Sequence, residues 1–148
     1  MRSLEIITEK VLIHGKKYIP AITPSELQRG RIGDCFDWTL VQALMNYPKY
    51  KYVEGIAKRP TTNDFVLHAW LTDGVHAFDL TWGMYFGKSK EEAEKAGRVL
   101  PLPIDYIGIE MDAKDVAEFY RATQYKSVLH NGWRDEQRSE KLLGFNFK

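Results

Sequence analysis

Residues 65–82 form two largely apolar runs, which Asp73-Gly74 separates. Asp-Gly between two alternating runs is the strongest short-range signal for a β-hairpin with a two-residue turn. With Asp73 and Gly74 in the turn, the predicted register places His68 directly opposite Asp79. Directly opposed residues share a face, with Cβ atoms about 4.5–5.5 Å apart. The sequence therefore predicts an imidazole beside a carboxylate.

The same register divides the side chains between the two faces of the hairpin. One face is apolar apart from His76 near the turn, and its other members are Leu67, Ala69, Leu71, Phe78 and Leu80. The second face carries His68, Trp70, Val75, Ala77 and Asp79. A slip by one residue would move the histidine and the aspartate into the apolar set, so burial favours the predicted pairing.

Cys35 is the one cysteine of the 148-residue chain. Apolar residues recur at helical spacing from Cys35 to about Tyr47, and Asp34 precedes them as a candidate N-cap. Cys35 then occupies the first helical position, where free backbone N–H groups and the helix dipole favour a thiolate. Asp34 and Asp37 oppose that effect, and the sequence leaves the balance open.

Cys35, His68 and Asp79 together offer the groups of a nucleophile, a base and an orienting acid. The thiolate would attack a carbonyl carbon, the imidazole would protonate the leaving group, and the carboxylate would fix the tautomer of the ring. Taken singly, Cys35 also fits a small buried hydrophobic residue, and His68 fits a core or surface histidine. The predicted pairing of His68 with Asp79 favours the catalytic interpretation.

Four short blocks resemble blocks of papain-like and transglutaminase-like cysteine enzymes, most closely small microbial and phage members. They are Gly33-Asp34-Cys35-Phe36, Tyr52-Val53-Glu54-Gly55, His68-Ala69-Trp70 and Phe78-Asp79-Leu80-Thr81-Trp82. The resemblance covers about residues 28–87. It implies an α+β fold in which a cysteine-bearing helix packs on an antiparallel sheet. It also implies that Cys35 is the nucleophile, His68 the base and Asp79 the orienting acid.

The chain departs from those enzymes at two points, and the second concerns the candidate oxyanion hole. Trp38-Thr39 stands where members often have Asn-Ala. Gln28 lies seven residues before Cys35, whereas the papain-type glutamine lies six before its cysteine. Gln28 is therefore a weaker candidate donor than the backbone N–H of Cys35.

Three further residues are candidates for substrate contact. Trp70 and Trp82 could form the walls of a cleft, although ordinary packing of large aromatic side chains explains them equally well. Glu54 could face the site as a second acid or a substrate contact. A structural hydrogen bond or plain exposure of Glu54 is the alternative that the sequence favours.

Zinc binding is the main chemical alternative, because cysteine, histidine and aspartate are all zinc ligands. The chain lacks paired-ligand spacing such as Cys-x-x-Cys or His-x-x-x-His. The predicted register also places His76 on the opposite face from His68, which removes the nearest fourth ligand. We therefore expect neither a metal nor another cofactor.

Composition narrows the function classes. A net charge of +1 gives no reason to expect nucleic acid as a partner, and the apolar runs are too short to span a membrane. A lone cysteine and the absence of a signal-peptide core predict a cytoplasmic protein. The length of the chain predicts that residues 1–148 form one domain. We expect acyl transfer or hydrolysis at an amide or isopeptide bond of a protein or peptide-like substrate. The alternative is an inactive protein- or peptide-binding module on the same fold, and the oligomeric state stays open.

The remaining secondary structure follows from periodicity and from turn and cap residues. We predict strands at residues 4–8, 10–14, 50–58 and 104–109, and helices at residues 89–96, 113–129 and 135–143, with Asp112 capping the second of these helices.

Overall fold

The computed structural model describes residues 4–31, 33–58, 64–82 and 105–147, which form helices and a mixed sheet. The helices are α1 (Leu4–His14), α2 (Cys35–Met45), α3 (Ala113–Thr123), α4 (Val128–Asn131) and α5 (Glu136–Leu143). The strands are β1 (Lys16–Pro20), β2 (Lys51–Lys58), β3 (Phe65–Thr72), β4 (His76–Ala77) and β5 (Asp105–Met111). The predicted α+β class is confirmed at this level.

The five strands form one sheet in the order β3-β2-β5-β1-β4. Antiparallel ladders join the first four strands, whereas β4 pairs in parallel with β1. Leu71 of β3 forms an isolated antiparallel bridge with Phe78, just after β4. Because this bridge links the two ends of the strand order, the sheet curls back on itself.

The curled sheet has a helix-covered face and a smaller inner face. Ile7 and Val11 of α1 and Ala43 of α2 pack on the helix-covered face, together with residues of the C-terminal helices. The inner face holds a separate cluster with a member from each strand: Tyr18, Val53, Ala57, Trp70, Ala77 and Tyr106, with Trp82 packed against it. The division of residues 65–82 into an apolar set and a second set agrees with these two faces.

Helix α2 is confirmed, and it packs against β3 and β2. Asp34 occupies its N-cap position, but its side chain makes no capping hydrogen bond, and its backbone has φ −101° and ψ 24°. Those angles lie outside the extended conformation that turns a capping side chain toward the first turn. The predicted side-chain cap is therefore wrong, although the helix begins where expected.

The prediction for residues 4–14 is wrong, because two short strands were expected and one helix is found. Ile7 and Val11 are four residues apart and almost fully buried, so one helical face packs on the sheet. The β-branched residues of this segment favour a strand locally, and tertiary packing overrides that preference.

The hairpin register is wrong by two residues. The predicted register, with His68 opposite Asp79, also places Leu71 opposite His76. The structure instead pairs Leu71 with Phe78 and directs β4 onto β1. The Asp73 carboxylate accepts hydrogen bonds from the backbone N–H groups of Val75 and His76, which enlarges the turn. A shift by two residues keeps every side chain on its original face.

The C-terminal helices are close to the prediction. Asp112 caps α3 by accepting hydrogen bonds from the backbone of Lys114 and Asp115. The predicted helix at residues 113–129 is interrupted at Gln124, whose left-handed φ of 63° ends α3, and α4 follows separately. The predicted strand at residues 104–109 is observed as β5, and the predicted helix at residues 135–143 as α5. The predicted helix at residues 89–96 lies outside the described residues.

Among the described residues, none of the helices combines the length and the apolar character that crossing a membrane requires.

Candidate active site

A buried ion pair between His68 and Asp79 forms the centre of the site. His68 lies on β3 and is almost fully buried, and its Nε2 atom lies 2.8 Å from Oδ2 of Asp79. Asp79 follows the Leu71–Phe78 bridge rather than continuing a hairpin. With Leu71 opposite Phe78, His68 and Asp79 are diagonal neighbours, which lie within reach of long side chains. The sequence thus predicted the contact through an incorrect register.

Four other groups bond to the Asp79 carboxylate. Oδ1 accepts from the backbone N–H groups of Thr81 at 3.1 Å and Trp82 at 2.9 Å, and the Thr81 hydroxyl lies 3.5 Å away. Oδ2 accepts from the phenol of Tyr106 at 2.7 Å as well as from His68. Both oxygens are therefore bonded, which makes burial of the charge tolerable and fixes the carboxylate plane.

Trp82 packs directly on the candidate base. Its indole and the His68 imidazole are stacked, with ring centroids 4.0 Å apart and planes inclined by 22°. The side chain of Trp82 is only partly buried, whereas that of His68 is almost fully buried. Trp82 therefore covers one face of the imidazole.

Cys35 lies at the N-terminus of α2 with 9% of its surface exposed. Its thiol is close enough to the imidazole to act on the ionisation of His68. The other ring nitrogen of His68, Nδ1, is buried and has no hydrogen-bond partner of suitable geometry among the described residues. The thiol therefore lies near the imidazole, and Nδ1 is the ring nitrogen without a well-aligned partner among the described residues.

The loop that precedes Cys35 is bonded to the segment that carries Asp79. The backbone N–H of Gly30 donates to the carbonyl of Leu80 at 2.9 Å, and the Trp38 indole donates to the carbonyl of Gln28 at 2.7 Å. A Cβ atom at Gly30 would lie 2.5 Å from the Trp38 ring, so a larger residue would push this loop outward. These contacts hold the start of α2 beside the His68–Asp79 pair.

The charges of the pair stabilise one another. Burial alone would lower the pKa of His68, but Asp79 and then the Cys35 thiol raise it to about 9. Burial alone would raise the pKa of Asp79, but His68, Tyr106 and the Trp82 backbone hold it below its usual value. At neutral pH the site therefore holds an imidazolium beside a carboxylate.

Glu54 lies away from this pair, on the helix-covered face. Its buried carboxylate accepts hydrogen bonds from the hydroxyls of Tyr52 at 2.7 Å and Ser127 at 2.8 Å. The backbone N–H groups of Val128 and Leu129 donate to it at 3.0 Å each. Burial raises the pKa of Glu54, and these donors partly offset the rise. Through these hydrogen bonds Glu54 links β2 to the start of α4.

Trp70, a candidate for substrate contact, and Gln28, a candidate oxyanion donor, both lie in described parts of the chain. Trp70 is fully buried in the inner cluster, where it packs edge-on against Tyr18 and Tyr106. It therefore forms no wall that solvent can reach. Gln28 is exposed, and its backbone N–H bonds to the side chain of Gln42 at 2.9 Å.

Tyr106 is the site residue that sequence reasoning missed. It lies on β5, opposite Ala57 of β2 and Tyr18 of β1. Only the insertion of β5 between these two strands brings its phenol to Asp79. No local pattern signals that insertion, because the pairing joins segments far apart in sequence.

No group of three or more histidine, cysteine, aspartate and glutamate side chains within the described ranges is arranged to hold a metal ion. Comparisons of the chain with family profiles, curated proteins and solved structures give no significant match.

Proposed function

We propose that the protein is a cysteine-dependent enzyme with a papain-like or transglutaminase-like site, which cleaves or transfers the acyl group of an amide or isopeptide bond. The observation that carries this proposal is the arrangement around His68. One ring nitrogen binds Asp79 at 2.8 Å, and the other has no well-aligned partner while the Cys35 thiol lies beside the ring. These contacts support Cys35 as the nucleophile, His68 as the base and Asp79 as the orienting acid.

Each of the three side chains has its own role in the proposed reaction. The Cys35 thiolate attacks the carbonyl carbon of the substrate, forming a C–S bond and placing the carbonyl electron pair on oxygen. The imidazolium then gives its Nδ1 proton to the departing nitrogen as the C–N bond breaks. A thioester and a neutral imidazole remain, and Asp79 keeps the proton on Nε2 throughout.

The start of α2 offers donors for the developing oxyanion. The first intrahelical hydrogen bond runs from the N–H of Trp38 to the carbonyl of Asp34, at 2.9 Å. The backbone N–H groups of Cys35 and the two residues after it precede this bond, so they are not required by the helix. The Cys35 N–H is the donor nearest the reacting sulfur, and we assign the oxyanion to it.

The product of the reaction depends on which molecule accepts the acyl group from Cys35. Water gives hydrolysis or deamidation, because neutral His68 removes its proton as it attacks the thioester. A primary amine gives transfer by the same route. A protein or peptide-like amide in the cytoplasm suits this chemistry, since that compartment keeps a lone thiol reduced.

Acylation by p-nitrophenyl acetate tests the proposal. We expect release of p-nitrophenol with a burst, and intact-mass and peptide analysis should place one acetyl group on Cys35. Cys35→Ala should abolish the burst, and His68→Ala should slow it strongly. Addition of an amine such as glycine methyl ester should then show whether transfer competes with hydrolysis.

A second outcome identifies the alternative function. If Cys35 gains no acetyl group, or gains it equally fast in His68→Ala, the protein is not an enzyme of this type. The inactive binding module would then be the better description. The full burial of Trp70 removes one of the two aromatic walls predicted for a binding cleft.

A further inference from the structure

Two donors share one oxygen atom of the candidate orienting acid. The Tyr106 phenol donates to Oδ2 of Asp79 at 2.7 Å, and Nε2 of His68 lies 2.8 Å from the same atom. We propose that Tyr106 is a positioning residue of the site, which fixes the Asp79 carboxylate on the imidazole and keeps the shared proton on His68. This inference rests on the proposed function, because it assigns a role within the same site.

Tyr106 and the backbone N–H groups bond to different oxygen atoms of Asp79. The N–H groups of Thr81 and Trp82 donate to Oδ1, so they hold that oxygen against the backbone that follows Asp79. Among the described residues, Tyr106 and His68 are the donors to Oδ2. Tyr106 therefore acts on the oxygen that faces the base.

The phenol remains a donor at any pH at which the protein would work. Tyr106 is almost fully buried and packs edge-on against Trp70, with ring centroids 5.0 Å apart. Burial first, and then the charge of Asp79, raise the pKa of Tyr106 well above its usual value. Its hydroxyl hydrogen consequently points at Oδ2 as a permanent dipole.

That dipole lowers the affinity of Oδ2 for a proton. A hydrogen bond to the ionised form of an acid favours the ionised form, so the proton between Asp79 and His68 stays on Nε2. Nδ1 is then the ring atom that exchanges a proton with the thiol and the leaving group. Asp79 and Cys35 are the titratable groups with the largest effect on the pKa of His68, and His68 and Tyr106 are those with the largest effect on the pKa of Asp79.

Removal of the phenol oxygen should therefore raise the proton affinity of the His68–Asp79 pair. We would follow the ring nitrogens of His68 by ¹⁵N NMR against pH in wild type, Tyr106→Phe and Tyr18→Phe. Tyr18 packs against the same Trp70, but its hydroxyl lies near Glu110 rather than Asp79, which makes it a matched control. We expect the His68 midpoint to rise by about half a pH unit in Tyr106→Phe and to stay unchanged in Tyr18→Phe.

An unchanged or lowered midpoint in folded Tyr106→Phe would overturn the inference, since a merely structural tyrosine changes the melting temperature alone. If Tyr106→Phe does not fold, 3-fluorotyrosine at position 106 preserves the packing and donates more strongly. The midpoint should then fall, and a constant midpoint would again reject the role. Because this measurement follows His68 and needs no reaction at Cys35, its failure is distinguishable from failure of the acylation test.

Discussion

The imidazole of His68 and the indole of Trp82 are stacked, with centroids 4.0 Å apart. The backbone N–H of the same tryptophan donates to Asp79 at 2.9 Å. One residue thus contacts both members of the ion pair, through its ring and through its main chain. Because the face of an indole attracts cations, the stack favours the charged imidazolium beside the carboxylate. Several consequences of this buried pair are measurable.

Asp79→Asn should leave the protein folded and reduce acylation of Cys35 about a thousandfold or more. An Asn amide has one oxygen for two sets of donors, the backbone N–H groups of Thr81 and Trp82 on one side and His68 with Tyr106 on the other. When the backbone groups keep that oxygen, the amide N–H turned toward Nε2 forces the imidazole into the wrong tautomer. The rate of acylation by p-nitrophenyl acetate measures the effect. Asp73→Asn is the control, because Asp73 forms an exposed pair with His76 at 2.8 Å. An unchanged rate in Asp79→Asn would remove Asp79 from the site.

Glu54→Gln should lower the free energy of unfolding by about 2 kcal/mol or more. Four donors surround this carboxylate, and an amide group would turn its own N–H atoms toward two of them. Urea denaturation measures the loss, and Glu110→Gln on β5 is the control. Folded Glu54→Gln should keep the alkylation rate of Cys35. A large loss of reactivity with no loss of stability would instead make Glu54 part of the site.

Local sequence signals predicted the secondary-structure elements of the site better than the long-range pairing that brings them together. The start of α2 at Cys35 follows from a helical run, and the contact of His68 with Asp79 survived a register error because a two-residue shift keeps each side chain on its face. Two features depend on long-range pairing and could not be predicted: β4 beside β1, and Tyr106 beside Asp79. The burial of Glu54 likewise depends on a helix more than seventy residues away in sequence.

Gly74→Val should destabilise the fold by about 1–2 kcal/mol. Gly74 has a φ of +106°, which a β-branched residue resists, and no atom lies within 4 Å of the position that its Cβ would take. The cost is therefore conformational rather than steric. Thermal melting measures it, with Gly74→Asn as a control that tolerates positive φ better and should lose less. Equal stability of wild type and Gly74→Val would contradict the observed turn.

The stability of Cys35→Ala should fall as the pH rises above about 6.5. Against the effect of burial, the charge of Asp79 raises the pKa of His68 above its usual 6.5, so above that pH the folded variant holds a proton that the unfolded chain has released. The variant is needed because a Cys35 thiolate in folded wild type lacks a proton that the unfolded thiol keeps, which offsets the effect of His68. The free energy of unfolding should decrease by up to about 1.4 kcal/mol per pH unit. Urea denaturation at several pH values measures the slope, and the double variant Cys35→Ala/His68→Gln should lack it. A slope in Cys35→Ala no steeper than that of the double variant would show that His68 is not charged in the folded protein.

The most direct test of the central claim is the rate of iodoacetamide alkylation of Cys35 against pH, in wild type and in His68→Ala. An ordinary thiol, with a pKa of about 8.5, reacts slowly below about pH 7 because little thiolate is present. We predict that wild type reacts rapidly there and that His68→Ala loses the rapid reaction. Slow alkylation with the same pH profile in both proteins would contradict a functional pair of Cys35 and His68.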